Sequence, residues 1–378
     1  MLYQSIQPET QKDTYNPGDQ IDFLLTFENM KLLLNTLRFE GVVNVTQDGN
    51  PINTDDIKFD HLTGIHNFID QITVETQNQG LIENLTEYPR YVRMISDCTM
   101  NNDQTFSSKH TPELRVADEC LAQSMCVPIN PYGLTTTNTE VSNSKDFSSK
   151  LFFCLNNAYM DPAKPDPAQL QLSYKRSGAV RITITLNTVF KALYGDDCDT
   201  DTSFNLTDLV FSYQTVDDDG KNVPVFLRSK INIRQNIQSK LSSISTKVPA
   251  AACTSVAMSF QPQSDYNQDD VNNQSTATLP DLNEVVFTWN DASNRYITFP
   301  LRDRSEMLLH YLKSLGSSGV NNVTLNNLKN NNSFGLGAEL GLPVDLRNQK
   351  FNVMIDCDNV SSTDPYLVYL YFNNLISI

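Results

Sequence analysis

The feature that most constrains this sequence is a repeated alternation of apolar and polar residues with a period of two. In one segment Val180, Ile182, Ile184 and Leu186 alternate with Arg181, Thr183, Thr185 and Asn187. Four further segments alternate in the same way, at 37–45, 209–213, 256–260 and 285–289. Successive side chains of a strand point to opposite faces, so each segment can bury one side and leave the other in solvent. The pattern predicts half-buried antiparallel strands and an all-β chain.

Two apolar runs, 151–155 and 366–372, lack this alternation. They predict strands that are covered on both faces, by a facing sheet or by a neighbouring subunit, because a monomer rarely exposes a large apolar patch.

Helices are expected to be few and short, and to lie between strands. Asp60 is placed to cap a helix over 61–69, and Pro89 suits the first turn of a second helix. Asp303, with Glu306 at capping-box spacing, predicts a third helix. We interpret their apolar stripes as core contacts.

The length of 378 residues suggests two or three domains at about 150 residues each. A charged turn at 216–221 divides the chain into 1–218 and 219–378, and both parts end in a strong strand. Each part reads as strands, a helix-bearing insertion and a long loop, which is compatible with a duplication. Polar segments without periodicity predict long loops, used for contacts or projections, at 100–110, 135–150, 261–278 and 321–333.

The charge balance disfavours a nucleic-acid binder. Lys+Arg number 28 and Asp+Glu 44, a formal net charge of −16, and no basic arm or dense basic stretch is present. The simpler interpretation of the negative charge is that it keeps the protein soluble. No apolar run is long enough for a membrane-spanning helix, and the first residues do not resemble a secretory signal.

The reactive side chains form no recognisable catalytic or cofactor motif in the sequence. The four histidines are scattered, and the seven cysteines are odd in number and widely spaced, which disfavours a disulfide framework or a zinc site. No nucleophile elbow, metalloprotease motif or phosphate loop occurs. The sequence therefore predicts that the protein is not an enzyme, although paired carboxylates of a β-sandwich hydrolase converge only in space.

One acidic cluster is a weak candidate for calcium. Asp197, Asp199 and Asp201 imitate the alternating oxygen ligands of a calcium loop. The sixth loop position is Thr202 rather than glycine, and the twelfth is Asp208 rather than glutamate. A solvated acidic turn is the default interpretation.

Several local stretches resemble the double jelly-roll major capsid proteins of tailless icosahedral DNA viruses. In the first half, 64–75 reads as a short helix running into a strand, followed by 80–84 and a helix near 88–89. In the second half, 333–337, 344–346 and 351–353 lead to the aromatic final strand. This order is similar to that of polinton-like viruses and virophages, with adenovirus hexons more distant. The motifs are loose, but their order fits nearly the whole chain.

The resemblance implies two eight-stranded antiparallel jelly-roll sandwiches side by side, with a few short helices in inter-strand insertions. It implies a homotrimer that forms a pseudo-hexameric capsomer of the virion capsid, synthesised and assembled inside the host cell. Its partners would be its own copies, neighbouring capsomers, and penton and minor capsid proteins, with no sequence-specific nucleic acid. An inner membrane beneath the shell is compatible with this role.

A carbohydrate-binding β-sandwich, such as a lectin or fibre protein, is the alternative. It would stack sugars on loop aromatics such as Tyr132 or Trp289, although the chain has only one tryptophan. A trimer that forms larger shells would favour the capsid interpretation, whereas a monomer retained on a glycan array would favour the lectin.

Overall fold

The computed structural model describes residues 1–52, 56–99, 113–115, 120–121, 144–274, 281–291, 293, 295–317, 319 and 335–378. The strands up to the charged turn are β1 (Leu2–Ile6), β2 (Thr14–Tyr15), β3 (Gln20–Leu25), β4 (Met30–Gln47), β5 (Asn50–Pro51), β6 (Lys58–Phe59), β7 (Ile69–Thr76), β8 (Gly80–Leu85), β9 (Cys120–Leu121), β10 (Ser144–Ser149), β11 (Ala158–Tyr159), β12 (Gln171–Ser173), β13 (Val180–Leu186) and β14 (Thr202–Asp217). The strands after it are β15 (Phe226–Ile237), β16 (Leu241–Thr246), β17 (Cys253–Pro262), β18 (Leu282–Asn290), β19 (Tyr296–Leu301), β20 (Leu336–Val344), β21 (Phe351–Cys357) and β22 (Tyr366–Ser377).

The helices are short and lie between strands, as predicted. The α-helices are α1 (Tyr88–Thr99), α2 (Tyr174–Ser177), α3 (Val189–Ala192) and α4 (Arg304–Ser317). The 3₁₀ helices are Gly64–Phe68, Cys154–Asn156, Pro167–Leu170 and Gln263–Asp265. The predicted helices at Pro89 and after Asp303 are confirmed, and the Asp303 carboxylate accepts hydrogen bonds from the backbone of Ser305 and Glu306. In the described part of the chain, every helix is too short or too polar to cross a membrane.

The first eight long strands form one jelly roll. One of its sheets has the order β1-β14-β4-β10, and the facing strands have the order β3-β13-β7-β8, all antiparallel. If the eight strands of the roll are numbered along the chain, one sheet has the order 1-8-3-6 and the facing sheet has the order 2-7-4-5. This is the strand order of a jelly roll, in which two Greek keys close a sandwich.

The last eight strands repeat the same order. They pair as β15-β22-β17-β20 and as β16-β21-β18-β19, again antiparallel. The prediction of two eight-stranded jelly rolls is therefore confirmed. The rolls lie side by side, because β8 of the first pairs with β15 of the second and makes one nine-stranded sheet that crosses both.

Aromatic side chains fill the space between the facing sheets of each roll. In the first roll, Phe23 and Phe211 come from opposite sheets and place their ring centroids 5.2 Å apart. In the second roll, Trp289 stacks on Phe351 with centroids 6.1 Å apart, and Phe351 meets Phe372 of the opposite sheet at 5.2 Å. These rings are buried, so each alternating strand directs its apolar side into a core of its own roll.

Three details differ from the sequence predictions. Residues 151–155 are not a strand: they pass into the 3₁₀ helix Cys154–Asn156, with Leu151 and Leu155 buried. The helix predicted over 61–69 is reduced to the 3₁₀ helix Gly64–Phe68, although the Asp60 carboxylate does accept from the backbone of Leu62 and Thr63. The end of the polar segment 135–150 forms β10.

The last apolar run, 366–372, is a strand covered on both faces, as predicted, but its cover comes from the chain itself. It lies in β22, between β15 and β17, and Tyr369 and Tyr371 are fully buried. No neighbouring subunit is needed to shield this strand. A charge placed at Tyr369 would therefore damage the core of the chain itself.

Candidate functional site

The site with the most unusual chemistry is the junction between the two rolls, where backbone pairing is sparse. Strands β8 and β15 share a single parallel pair, Asn84 with Ile231. Next to it the buried carboxylate of Glu83 accepts one hydrogen bond from the backbone of Lys230, at 2.7 Å, and one from Cys154, at 2.6 Å. A side chain thus satisfies donors that a longer ladder would have paired. Burial raises the pKa of Glu83, while Lys230 and these hydrogen bonds oppose the rise.

Helix α1 of the first roll extends across the junction and contacts the second roll. The Arg90 guanidinium lies 4.4 Å from the centre of the Tyr369 ring and donates to the Gln261 side chain at 2.8 Å and to the carbonyl of Asn273. The Tyr369 hydroxyl also donates to Gln261, at 2.9 Å. A buried arginine is therefore held by a ring and by neutral acceptors that belong to the other roll.

A charged cluster surrounds the start of α1. Lys191 of α3 lies 3.2 Å from Glu87 and 3.3 Å from Asp70, and Arg234 of β15 reaches Glu87 at 3.1 Å. Burial lowers the pKa of Lys191, but the two carboxylates outweigh it and the net shift is upward. Arg234 also donates to the Tyr266 hydroxyl at 2.7 Å. The cluster connects first-roll groups with a residue of β15 and a residue of the loop after β17.

That loop, 263–274, acts as a strap from the second roll onto the first. Asn273 donates to the carbonyl of Phe190 at 2.6 Å, and Gln274 donates to that of Lys191 at 2.9 Å. Asn272 donates to Asp60 at 2.7 Å. Burial raises the pKa of Asp60, but Arg93 and the other partners outweigh it and lower that pKa to about 2. The predicted contact loop at 261–278 thus makes its contacts within the chain over its described part.

A second buried polar cluster lies inside the first roll, around His66. Its Nδ1 lies 2.8 Å from the Tyr88 hydroxyl and its Nε2 lies 3.0 Å from the Ser149 hydroxyl. The Tyr88 oxygen accepts from the backbone of Phe152 at 2.9 Å, so its own proton points to Nδ1 and the imidazole is neutral with its proton on Nε2. Burial lowers the pKa of His66 well below 6.5, Arg115 lowers it further, and Glu113 opposes both.

The candidate calcium residues lie in the turn before β14. Asp199 is exposed, and its carboxylate accepts from the backbone of Asp201 and Thr202, at 3.0 and 3.1 Å, which closes the turn. Those backbone donors lower the pKa of Asp199. Within the described ranges no three His, Cys, Asp or Glu side chains come together as metal ligands, and Asp197 and Asp201 do not join Asp199 in such a group. The calcium hypothesis stays a prediction.

The other sequence candidates are distributed over the fold. Cys98, Cys154, Cys198, Cys253 and Cys357, whose side chains are described, are buried and form no disulfide. Trp289 is 4% exposed and stacked in the core, so it offers no sugar-binding platform. Tyr132 and the predicted loops 100–110 and 321–333 lie outside the described residues.

Sequence reasoning missed the junction itself. Glu83 stands between Leu81 and Leu85 on one face of β8, and it is buried. A charged residue on the inward side of a strand was the available signal, because such a group is buried only where it has partners.

Comparison with known proteins agrees on the fold. No family model and no curated protein matches the sequence. Among solved structures, the Faustovirus major capsid protein matches with a TM-score of 0.64 and 8% identity, over 100% of this chain and 90% of its own. PBCV-1 VP54, fitted into a reconstruction of the virophage Sputnik, matches with a TM-score of 0.56 and 10% identity over 100% and 94%. A chain of the Sputnik virophage structure matches with a TM-score of 0.50 and 12% identity over 99% and 87%. The chain therefore has the double jelly-roll fold of these viral capsid proteins.

Proposed function

We propose that this chain is the major capsid protein of an icosahedral virion, and that three copies form a pseudo-hexameric capsomer. The observation that carries the proposal is the pair of rolls with identical strand order, joined through one sheet, in a chain that matches the Faustovirus major capsid protein over its whole length. Two similar units per chain, repeated around a threefold axis, approximate a hexagon that can tile a closed shell. The role is structural and requires no catalytic group.

We further propose that 1–218 and 219–378 are the two domains. The chain leaves β14 at Asp217 and enters β15 at Phe226. The crossing is held by Lys31 of β4, which is buried and contacts Asp218, at 3.8 Å, and Asp219. A tethered crossing of this kind favours a fixed arrangement of the two rolls over a flexible linker.

The proposed partners are further copies of the chain, neighbouring capsomers, and penton and minor capsid proteins. A contact surface with another copy is supported at β1, an edge strand that pairs with β14 on one side. Met1, which precedes β1, and Leu2 and Tyr3, which begin it, are 79%, 51% and 63% exposed, so this end of the edge strand carries three exposed apolar side chains. Exposed apolar edge strands are sites of association between chains.

Light scattering of the purified protein over a dilution series tests the proposal, followed by electron microscopy of the particles. We expect a mass of three chains and a roughly hexagonal outline. A folded protein that stays monomeric at micromolar concentration would refute the capsomer. If that monomer also bound to a glycan array, the carbohydrate-binding alternative would replace it.

A further inference from the structure

A lysine and an asparagine lie opposite each other where the first and last strands of the second roll pair. Lys230 of β15 is in register with Asn373 of β22. The Lys230 backbone N–H is donated to Glu83, on the side away from β22, so Lys230 and Asn373 form a non-hydrogen-bonded antiparallel pair. In such a pair the two side chains are at their closest and share one face of the sheet.

Both side chains are shut off from water and neither is fully satisfied. Lys230 is 1% exposed, and its ammonium donates to the Arg228 carbonyl at 2.9 Å and lies 5.7 Å from the centre of the Tyr91 ring. Among the described residues its ammonium forms no ion pair, although the charge of the buried Glu83 acts on it. Asn373 is 2% exposed; its Nδ2 donates to Ser255 at 2.7 Å, and its buried Oδ1 has no hydrogen-bond partner.

The buried carboxyl beside this pair favours an uncharged amine. Burial lowers the pKa of Lys230 and raises that of Glu83, although each group opposes the shift of the other. Because both shifts disfavour charge, transfer of one proton from the ammonium to the carboxylate replaces two buried charges with two neutral groups. An amine in this state is a nucleophile.

We propose that Lys230 and Asn373 form an intramolecular isopeptide bond, and that the Lys230 ammonium first comes within hydrogen-bond reach of Glu83 and gives that carboxylate its proton. This modification is independent of the proposed capsid role. To react, the Lys230 side chain turns from the Arg228 carbonyl toward the Asn373 side chain, across the gap between β15 and β22.

The reaction balances without an oxidant or a co-reactant. The Nζ lone pair attacks Cγ of Asn373, the new Nζ–Cγ bond forms, and the Cγ–Nδ2 bond breaks. One of the two amine protons stays on the new amide and the other leaves with Nδ2, so one ammonia is released for each bond formed. Oδ1 carries the negative charge of the tetrahedral intermediate until the Cγ–Nδ2 bond breaks. The buried rings of Tyr91 and Tyr371, whose centroids lie 5.3 Å apart, keep water away from the reacting groups.

Intact-protein mass spectrometry of the folded, aged protein tests the proposal. We expect the mass to fall short of the sequence mass by one ammonia, and the proteolytic digest to contain one branched peptide that joins 230 with 373. Succinimide formation at an asparagine also releases ammonia, so the branched peptide is the required evidence. Under denaturing electrophoresis the cross-linked chain should migrate faster than the variant Lys230→Arg, which cannot form this bond.

Matched variants separate the cross-link from a general effect on folding. Asn373→Ala should keep its full sequence mass, whereas Asn374→Ala, at the adjacent buried position, should still lose ammonia. Glu83→Gln should slow the loss of ammonia at least tenfold in refolded protein. If the wild type, folded and incubated at neutral pH, keeps its full sequence mass, the proposal is wrong whatever the variants do.

Discussion

Mild acid should destabilise the first roll through His66. The imidazole is buried and neutral, and its pKa in the folded chain lies well below the ordinary value of 6.5. The unfolded chain therefore binds a proton first as the pH falls, so stability is full above about pH 6.5 and declines below it. The decline is about 1.4 kcal/mol per pH unit until the pKa of the folded state is reached.

The groups around the His66 ring disfavour its protonation in the folded state. The Tyr88 hydroxyl already donates a hydrogen bond to Nδ1, and Ser149 accepts from Nε2. Arg115 adds a positive charge nearby, and Glu113, the one facing carboxylate that the structure gives, is outweighed by burial. Protonation would thus require the Tyr88 hydroxyl to turn away and a charge to stay buried.

Urea unfolding at about pH 6.5 and about pH 5.5 measures the effect, with His66→Gln as the matched neutral variant. Between these two values the free energy of unfolding should fall by about 1 kcal/mol more in the wild type than in the variant, because the unfolded histidine is already half protonated at about pH 6.5. Burial also lowers the pKa of the partly exposed His310, but that group is present in both proteins and cancels. If the two proteins lose stability equally, His66 does not carry the acid sensitivity and its imidazole is not held neutral in the folded state.

Two further predictions concern the proposed contact edge and the junction. The double variant Leu2→Asp/Tyr3→Asp should keep nearly the same melting temperature, but its trimer fraction in light scattering should fall at least tenfold. The control Leu241→Asp, at a similarly exposed position on β16, should leave the trimer fraction unchanged. If the double variant and the wild type have equal trimer fractions, β1 is not part of the interface. Arg90→Met should lower the free energy of unfolding by about 3 kcal/mol, because two charge-assisted hydrogen bonds and the contact with the Tyr369 ring are lost. A change under about 1 kcal/mol would show that the junction does not depend on this arginine.

The sequence predicts the strands correctly where one face is buried and the other is exposed to solvent. The segment around Val180 alternates strictly, and β13 spans Val180–Leu186 with burial on every second residue. The prediction of a strand at 151–155 was wrong because a segment that is buried on all sides need not be a strand. Its backbone there turns into a 3₁₀ helix, and an apolar run alone cannot distinguish the two.

The junction could not be predicted because its partners are far apart in the chain. Arg90 meets Gln261 and Glu83 meets Lys230 only after both rolls have folded. A single sequence shows that Glu83 interrupts an apolar face, but not which backbone groups its carboxylate meets. The strap 263–274 was predicted as a loop that makes contacts, yet nothing in its composition names the first roll as the surface it meets.

The single backbone pair between β8 and β15 has a mechanical consequence. When a sheet is pulled at right angles to its strands, its hydrogen bonds open one after another, so the weakest line is the shortest ladder. Here that line runs between the two rolls, where one residue pair is reinforced by the side chains of Glu83 and Arg90. Lateral tension in a shell of such subunits would concentrate on those side chains, and the resistance of the subunit to rupture would be set by buried polar groups rather than by the strands.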